Sequence, residues 1–269
     1  MEEPQVVHGS AQFQQVTPTH LEITTNDATI INCKSFNISE NYTVKIVQPS
    51  AKSRMLTRVR GNDPSKILGK LESIGKVFLI NPNGIVFGPN SVISTGALIA
   101  STLDISNENF QKGNFRFQLS PEGKGSKIIN HGTLTASLEG EIVLMAPHII
   151  NEGIIHATAG RVALVGAPIV TLDLTGDHLV SFAVEGELEQ GIIQQLGKVA
   201  CEQGDVYLRL SAAKKVIESV VNKDGLIEGH GIINENGVVR IAGYSEILAR
   251  NTFLDAPTVA IAGKYILTT

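Results

Sequence analysis

Along the second half of the chain, apolar residues alternate with polar ones in short runs that begin at glycine. Gly140-Glu-Ile-Val-Leu-Met-Ala146 returns as Gly160-Arg-Val-Ala-Leu-Val-Gly166, Gly204-Asp-Val-Tyr-Leu-Arg-Leu210 and Gly237-Val-Val-Arg-Ile-Ala-Gly243. Between them, Ile129-Asn-His-Gly-Thr-Leu-Thr-Ala136 recurs as Ile150-Asn-Glu-Gly-Ile-Ile-His-Ala157, a step of about 21 residues, with looser copies at Val221 to Ile227 and Ile233 to Val239. A period of two predicts strands, and a second period near 20 residues predicts a solenoid. The fold expected is all-β, a right-handed parallel β-helix whose coils stack at roughly 4.8 Å. Ile142, Leu144, Val162, Leu164, Val206 and Leu208 should point inward, and Glu141, Arg161, Asp205 and Arg209 outward. Each Asn of an Ile-Asn-x-Gly unit should sit at a corner, where its side chain satisfies turn amides. A β-sandwich also has many short strands, but does not need repeating coils.

The first 60 residues lack this period. A solenoid's open end exposes unpaired strand edges, so residues 1–60 are expected to form a cap, with coils over 61–269 in a single domain. Stacked Ile, Val and Leu should fill the interior from about residue 80 to the end. The stretch from Asn107 to Ser126, with Phe110, Phe115 and Phe117, is read as antiparallel strands outside the spiral. Ile67, Leu68, Leu71 and Ile74 fall at helical spacing after Pro64-Ser65, which predicts one or two helical turns over 65–74. Ala212 to Val220 fits helix or strand.

Between the runs Val77 to Ile80 and Ile85 to Phe87 stands Asn81-Pro82-Asn83-Gly84, a tetrad with turn chemistry at every position. Asn81 can accept a backbone N–H, Pro82 presets φ, Asn83 tolerates the bridge or left-handed region, and Gly84 is favoured fourth. Around it, in order, lie Arg58-Val59 with Gly61, Pro64-Ser65, Ile67 with Gly69, and then Ala100-Ser101-Thr102 with Asp104-Ile105. Upstream are Val7-His8-Gly9, Ile30-Ile31-Asn32, Ser35-Phe36-Asn37-Ile38 and Val47-Gln48-Pro49-Ser50. From Gln5 to about Phe117 this series resembles, in order and spacing, the amino-terminal secretion domain of two-partner secretion exoproteins, the filamentous haemagglutinins and high-molecular-weight adhesins. One departure is the absence of a second tetrad, Asn-Pro-Asn-Leu, that some members carry. It places the chain nearer the adhesin branch and removes one candidate recognition element.

The resemblance implies a targeting and folding-nucleus module without a reaction of its own. The exoprotein would cross the periplasm unfolded and be recognised there by the POTRA domains of a dedicated outer-membrane β-barrel transporter. It would end secreted or at the surface of a Gram-negative-type bacterium, with a host-surface ligand bound through the rest of the exoprotein. Arg58, Asn81, Pro82, Asn83, Gly84 and Ile85 are the candidate recognition and turn residues. Pro82 and Gly84 lean to the structural role, and recognition is shared among Arg58, Asn81, Asn83 and Ile85. Read this way, the chain is a mature fragment with its signal removed and a start Met added, since Met1-Glu-Glu-Pro4 is acidic. The alternatives are an adhesin module that binds carbohydrate or host protein directly, and a β-helical polysaccharide-active enzyme.

Composition narrows these further. In 269 residues the aromatic share is 5% and tryptophan is absent, so exposed sugar platforms are scarce and the core must be Ile, Val, Leu and Ala. A net charge of −4 gives no basic bias, and nucleic acid is not an expected partner. No apolar run is long enough to span a membrane as a helix. Gly229-His230-Gly231 matches a motif of polygalacturonase-like enzymes, but their clustered aspartates are missing, and a corner histidine explains it better. Gly123-Lys-Gly-Ser126 lacks phosphate-loop spacing. Ser73-Ile-Gly-Lys76 lacks the companions of an acyl-enzyme serine. Asp173, Asp177 and His178 around Gly176 form a calcium-like or turn site, or a solvated loop. No cofactor and no metal are expected. Cys33 and Cys201 should stay unbonded, about 168 residues or roughly eight coils apart, near 40 Å.

Overall fold

In the computed structural model of the chain, the described residues are 1–174, 182–202 and 205–218, followed by the strands Ile227–His230, Val239–Gly243, Ile247–Arg250, Val259–Ala262 and Tyr265–Thr268; side chains are described as far as Ala212. The chain winds as a parallel β-helix with three faces. Among the described residues, sheets of ten, eight and nine strands form the first, second and third faces. One full coil runs from Lys76–Ile80 on the first face through Ile85–Phe87 on the second and Val92–Thr95 on the third, and returns to the first at Ala97–Ser101.

Register explains why these residues make strands. On the third face Val44, Leu71, Ile93, Leu134, Ile155 and Val199 stack in one inward column. On the first, Met55, Val77, Leu98, Ile142, Val162 and Val206 do the same. All twelve are buried. Each fully buried side chain of this kind contributes about 1.5–3 kcal/mol of transfer free energy. The β-branched majority suits the pleat. Corners are tight. An added Cβ on Gly140 would lie 2.1 Å from the Gly96 carbonyl oxygen, and one on Gly160 would lie 1.8 Å from that of Gly140. A second column repeats this at Gly132, Gly153 and Gly197. Consecutive coils touch backbone to backbone there, which only glycine allows.

Several expectations need correction. Parallel ladders begin well before residue 60: His20–Thr25 already pairs parallel with Thr43–Val47, and Thr29–Cys33 with Arg54–Val59. Ile23 and Ile31 are fully buried in the inner core, so the interior starts near residue 20 rather than 80. Capping falls to Gln5–His8 and Ala11–Thr17, which close the first and third faces in antiparallel pairing. The proposed helix over 65–74 is two strands, Ser65–Ile67 and Lys70–Ser73. Gly69 turns the corner between them, with the Tyr42 and Ser39 carbonyl oxygens 2.3 and 2.4 Å from where a Cβ would be. Ala212–Glu218 is a strand.

Glu141 and Arg161, expected on the surface, are both 7% exposed and pair at 3.0 Å. Arg209 is half-buried, and the Asp205 side chain lies outside the described residues. The reason is a second layer over the first face. Beyond Ser101 the chain leaves the spiral, forms the helix Asn107–Lys112 and the strand Phe115–Gln118, and later adds Ile169–Leu172 and Phe182–Glu185 antiparallel. The sequence reading holds for these strands but missed the helix. Ser106 accepts from the Asn109 N–H at 3.1 Å to cap its start, and Gly113, at φ +73°, ends it. Phe110, Phe115 and Phe117 pack on Phe78, with ring centroids 5.1, 5.3 and 6.4 Å away. The outward column Ile99, Val143 and Ala163 is buried beneath this layer.

Cys33 and Cys201 are both free and buried. Six ladder steps, not eight coils, separate their coils along the first face. That is about 29 Å, still far beyond bridging distance. The looser repeat copies, the cluster at Asp177 and His178, and the His230 side chain lie outside the described residues.

Candidate functional site

The signature residues, scattered over nearly fifty positions in sequence, converge on one corner where the first face turns into the second. The tetrad is a four-residue turn: the Gly84 N–H donates to the Asn81 carbonyl at 3.1 Å, and Asn81 Oδ1 accepts the Asn83 N–H at 3.0 Å. Asn81 has no exposed surface, and its amide is fully engaged. Its Nδ2 donates to the Asp63 carbonyl and to Ser65 Oγ, both at 3.0 Å, while its Oδ1 also accepts Asn83 Nδ2 at 3.1 Å. Asn83, half-buried, donates onward to the Gly61 carbonyl at 2.8 Å. The Asn81 N–H reaches forward to the Ser101 carbonyl at 3.0 Å, so one residue ties the preceding coil to the following one.

Gly84 sits at φ +121°, and a Cβ there would be 2.9 Å from the Lys127 carbonyl oxygen of the next coil. Pro82 is half-buried on the turn. Ile85 is fully buried, its place in the second face fixed between Ser65 and Ile128.

Arg58 lies one coil earlier and is 1% exposed. Its Nε meets Asp104 Oδ1 at 2.7 Å, one terminal nitrogen meets Asn107 Oδ1 at 2.7 Å and Asn32 Oδ1 at 3.3 Å, and the other donates to the Ile105 carbonyl. A planar fork serves these separate acceptors as an ammonium could not. Asp104 also takes Arg60 at 3.5 Å. Arg58 therefore anchors the loop that launches the outer layer, pairing with the signature's own Asp104-Ile105. Beneath it, the Cys33 thiol points at the Arg58 carbonyl at 3.8 Å, and burial pushes its pKa up to about 11.

Sequence reasoning named Arg58 and the tetrad. It missed Arg54, which donates to the Phe110 and Gln111 carbonyls at the helix end and lies 5.6 Å from the Phe110 ring centroid. A lone arginine in an alternating run carries no signal of that role. Chemically, the site is a set of saturated hydrogen bonds. Ser73, the acyl-enzyme candidate, is bonded to Gln48 Oε1 at 2.5 Å and caps the Gly75 N–H. Among the described residues no group of His, Cys, Asp or Glu could hold a metal ion.

A family model described as the TPS secretion domain matches residues 6–250. A heme/hemopexin-binding protein of Haemophilus influenzae strain Rd is 34% identical over 234 residues, covering 84% of this chain and 24% of that protein. A second Haemophilus influenzae protein of that name is 29% identical over 256 residues, covering 87% of this chain and 27% of its own length. The chain thus spans about a quarter of these curated relatives. Among solved structures, the HMW1 secretion domain from Haemophilus influenzae matches with a TM-score of 0.75 at 25% identity, over 98% of this chain and 73% of that one.

Proposed function

This chain belongs to the TPS secretion domain family, and on that premise we propose that it addresses a larger secreted exoprotein to its outer-membrane transporter and then nucleates the exoprotein's folding outside the cell. In the first stage, POTRA domains of the transporter bind the chain in the periplasm while it is extended. Strand addition is the mode that suits an extended segment, with backbone bonds giving affinity and side-chain pockets giving specificity. In the second stage the emerging chain closes its first coils, and each later coil stacks on its predecessor at small loop-closure cost.

The observation that carries this reading is the saturation of Asn81. In the folded chain its amide, the Arg58 guanidinium and the Ile85 side chain are buried. A partner that reads those side chains must therefore meet them before the coils close, and folding then withdraws them. The relatives named for heme and hemopexin binding are about four times as long as the matched segment, and in this reading any ligand binding of that kind, or a host-surface contact, belongs to the remainder of the exoprotein.

The test is co-expression of the chain with its cognate barrel, scoring protein in the medium for wild type and for the Asn81→Ala, Asn83→Ala double variant. Secretion is expected to collapse and the melting temperature of the purified variant to fall with it. Lost secretion at an unchanged melting temperature would shift the weight from folding to direct reading. Wild-type secretion would remove this corner from the mechanism.

A further inference from the structure

The cap carries an exposed strand edge that lies outside the candidate site. Among the described residues Ala11–Thr17 is the outermost strand of the third face and pairs on one side only, with His20–Thr25. Six of its seven residues are exposed and the other is half-buried. Among the described residues no strand lies beside its other backbone edge, a row of N–H and C=O groups.

Proteins blunt such edges with charges, proline, short length or a covering segment. The edge of the second face follows that rule: Ser65–Ile67 has three residues, a lysine at its centre and a bridge from Ile38. Ala11-Gln-Phe-Gln-Gln-Val-Thr17 has seven residues and neither charge nor proline, and its one irregularity is a bulge between Gln15 and Thr17. Exposed apolar surface is concentrated here as well. Of the nine large apolar side chains that stand exposed among the described residues, four lie in the two cap strands: Val6 at 38%, Val7 at 41%, Phe13 at 39% and Val16 at 50%.

We propose that Ala11–Thr17 is a self-association edge, through which two copies of this chain pair antiparallel about a two-fold axis at Gln14. The unpaired backbone row calls for a strand, and the side chains say which one. About that axis Gln14 faces its own copy, and its amide is donor and acceptor at once, while Gln12 faces Val16 and Gln15 faces Phe13. With no ionised group in the strand, two copies meet without the repulsion that opposed like charges bring. A two-fold axis across a strand always sets the copies antiparallel, and such isologous contacts close at two. The proposal is independent of the secretion reading.

Sedimentation equilibrium of the purified chain from about 1 μM to 1 mM tests it. Wild type should show a monomer–dimer equilibrium. Gln14→Lys, which sets two ammonium groups face to face, should weaken it at least tenfold without changing the melting temperature. Directly opposed residues in an antiparallel pair have Cα atoms about 4.5–5.5 Å apart, within disulfide range. Gln14→Cys should therefore oxidise to a covalent dimer faster than Glu40→Cys, an exposed control; Cys33 and Cys201 are buried and do not compete. A wild type monomeric throughout the range, a Gln14→Lys variant that dimerises as wild type does, cross-linking no faster at position 14 than at 40, or assemblies larger than dimers would each overturn the proposal.

Discussion

One inward column of the second face changes character half-way along the molecule. In the early coils it reads Ile38, Ile67 and Phe87, and in the later ones Asn130, Asn151 and Gln195, all in register and buried. In the later coils the amides bond to one another: Asn130 Nδ2 donates to Asn151 Oδ1 at 2.7 Å, and Asn151 Nδ2 to Gln195 Oε1 at 2.9 Å. The ends of this ladder close on their own turns, where Asn130 Oδ1 accepts the Gly132 N–H and Gln195 Nε2 donates to the Gly197 carbonyl. In the early coils the buried polar bonds move to the preceding corner, and no residue bonds to a like residue on the next coil: Arg58 takes a carboxylate, two amides and a carbonyl, and Asn81 takes a carbonyl, a hydroxyl and the Asn83 amide. A repeated group fits any neighbour built like itself, whereas a unique set fits one neighbour in one order. The early corner fixes where the helix starts, and the ladder lets it continue.

The comparison breaks most readily at Arg58. Arg58→Met should cost about 3–5 kcal/mol in urea unfolding, because Asp104 and the loop carbonyl lose a buried partner. Arg58→Lys should recover little of it, since one ammonium cannot serve the spread acceptors. Near-wild-type stability for either would show that this corner is dispensable.

In the ladder, Asn151→Leu strands Asn130 Nδ2 and Gln195 Oε1 in the interior, an expected loss of about 2–4 kcal/mol. Replacing Asn130, Asn151 and Gln195 together by leucine should be less harmful than the single change, since the early coils already run this column in apolar form. A triple variant less stable than the single one would contradict that equivalence. Gly84→Ala should cost about 1–3 kcal/mol by thermal unfolding, through the left-handed φ and the contact with the Lys127 carbonyl.

The smallest effect expected is one of pH. Burial, helped by Lys127, lowers the His148 pKa below the ordinary 6.5. The folded state thus favours the neutral ring: its contribution is present above about pH 6.5 and is lost as the pH falls through the lowered value. The unfolding midpoint should decline between pH 7 and 5, less so in His148→Gln and Lys127→Gln. An unchanged slope in His148→Gln would assign the decline to other groups.

What the sequence revealed follows the same division. The ladder coils announce themselves because Ile129-Asn-His-Gly and Ile150-Asn-Glu-Gly repeat. The third rung, Gln195-Leu-Gly197, was passed over because glutamine replaces asparagine and its longer arm reaches the same column. The early coils read as a cap because their corners are built by residues with no period. Period-based reading also failed at Gly69, where helical spacing crosses a coil corner. Glu141 and Arg161 look like surface positions in an alternating strand but are buried on the face that the outer layer covers, and no local pattern predicts a layer. The site residues were legible as an ordered signature, but their convergence on one corner was not.

The two free thiols have a mechanical consequence. With no covalent loop, the chain is an uncrossed line that a pull on its carboxyl end can straighten entirely. In the ladder region the coil from Asn130 to Asn151 holds 21 residues, and the next, from Asn151 to Gln195, holds 44 because it also carries two outer strands. Peeling them therefore releases about 70 Å and about 150 Å of contour length at roughly 3.4 Å per residue. A force–extension trace over this region should show a long step followed by one about half its length. It should end in one taller peak, where the Arg58 clasp binds the early coils to the outer layer and several must yield at once.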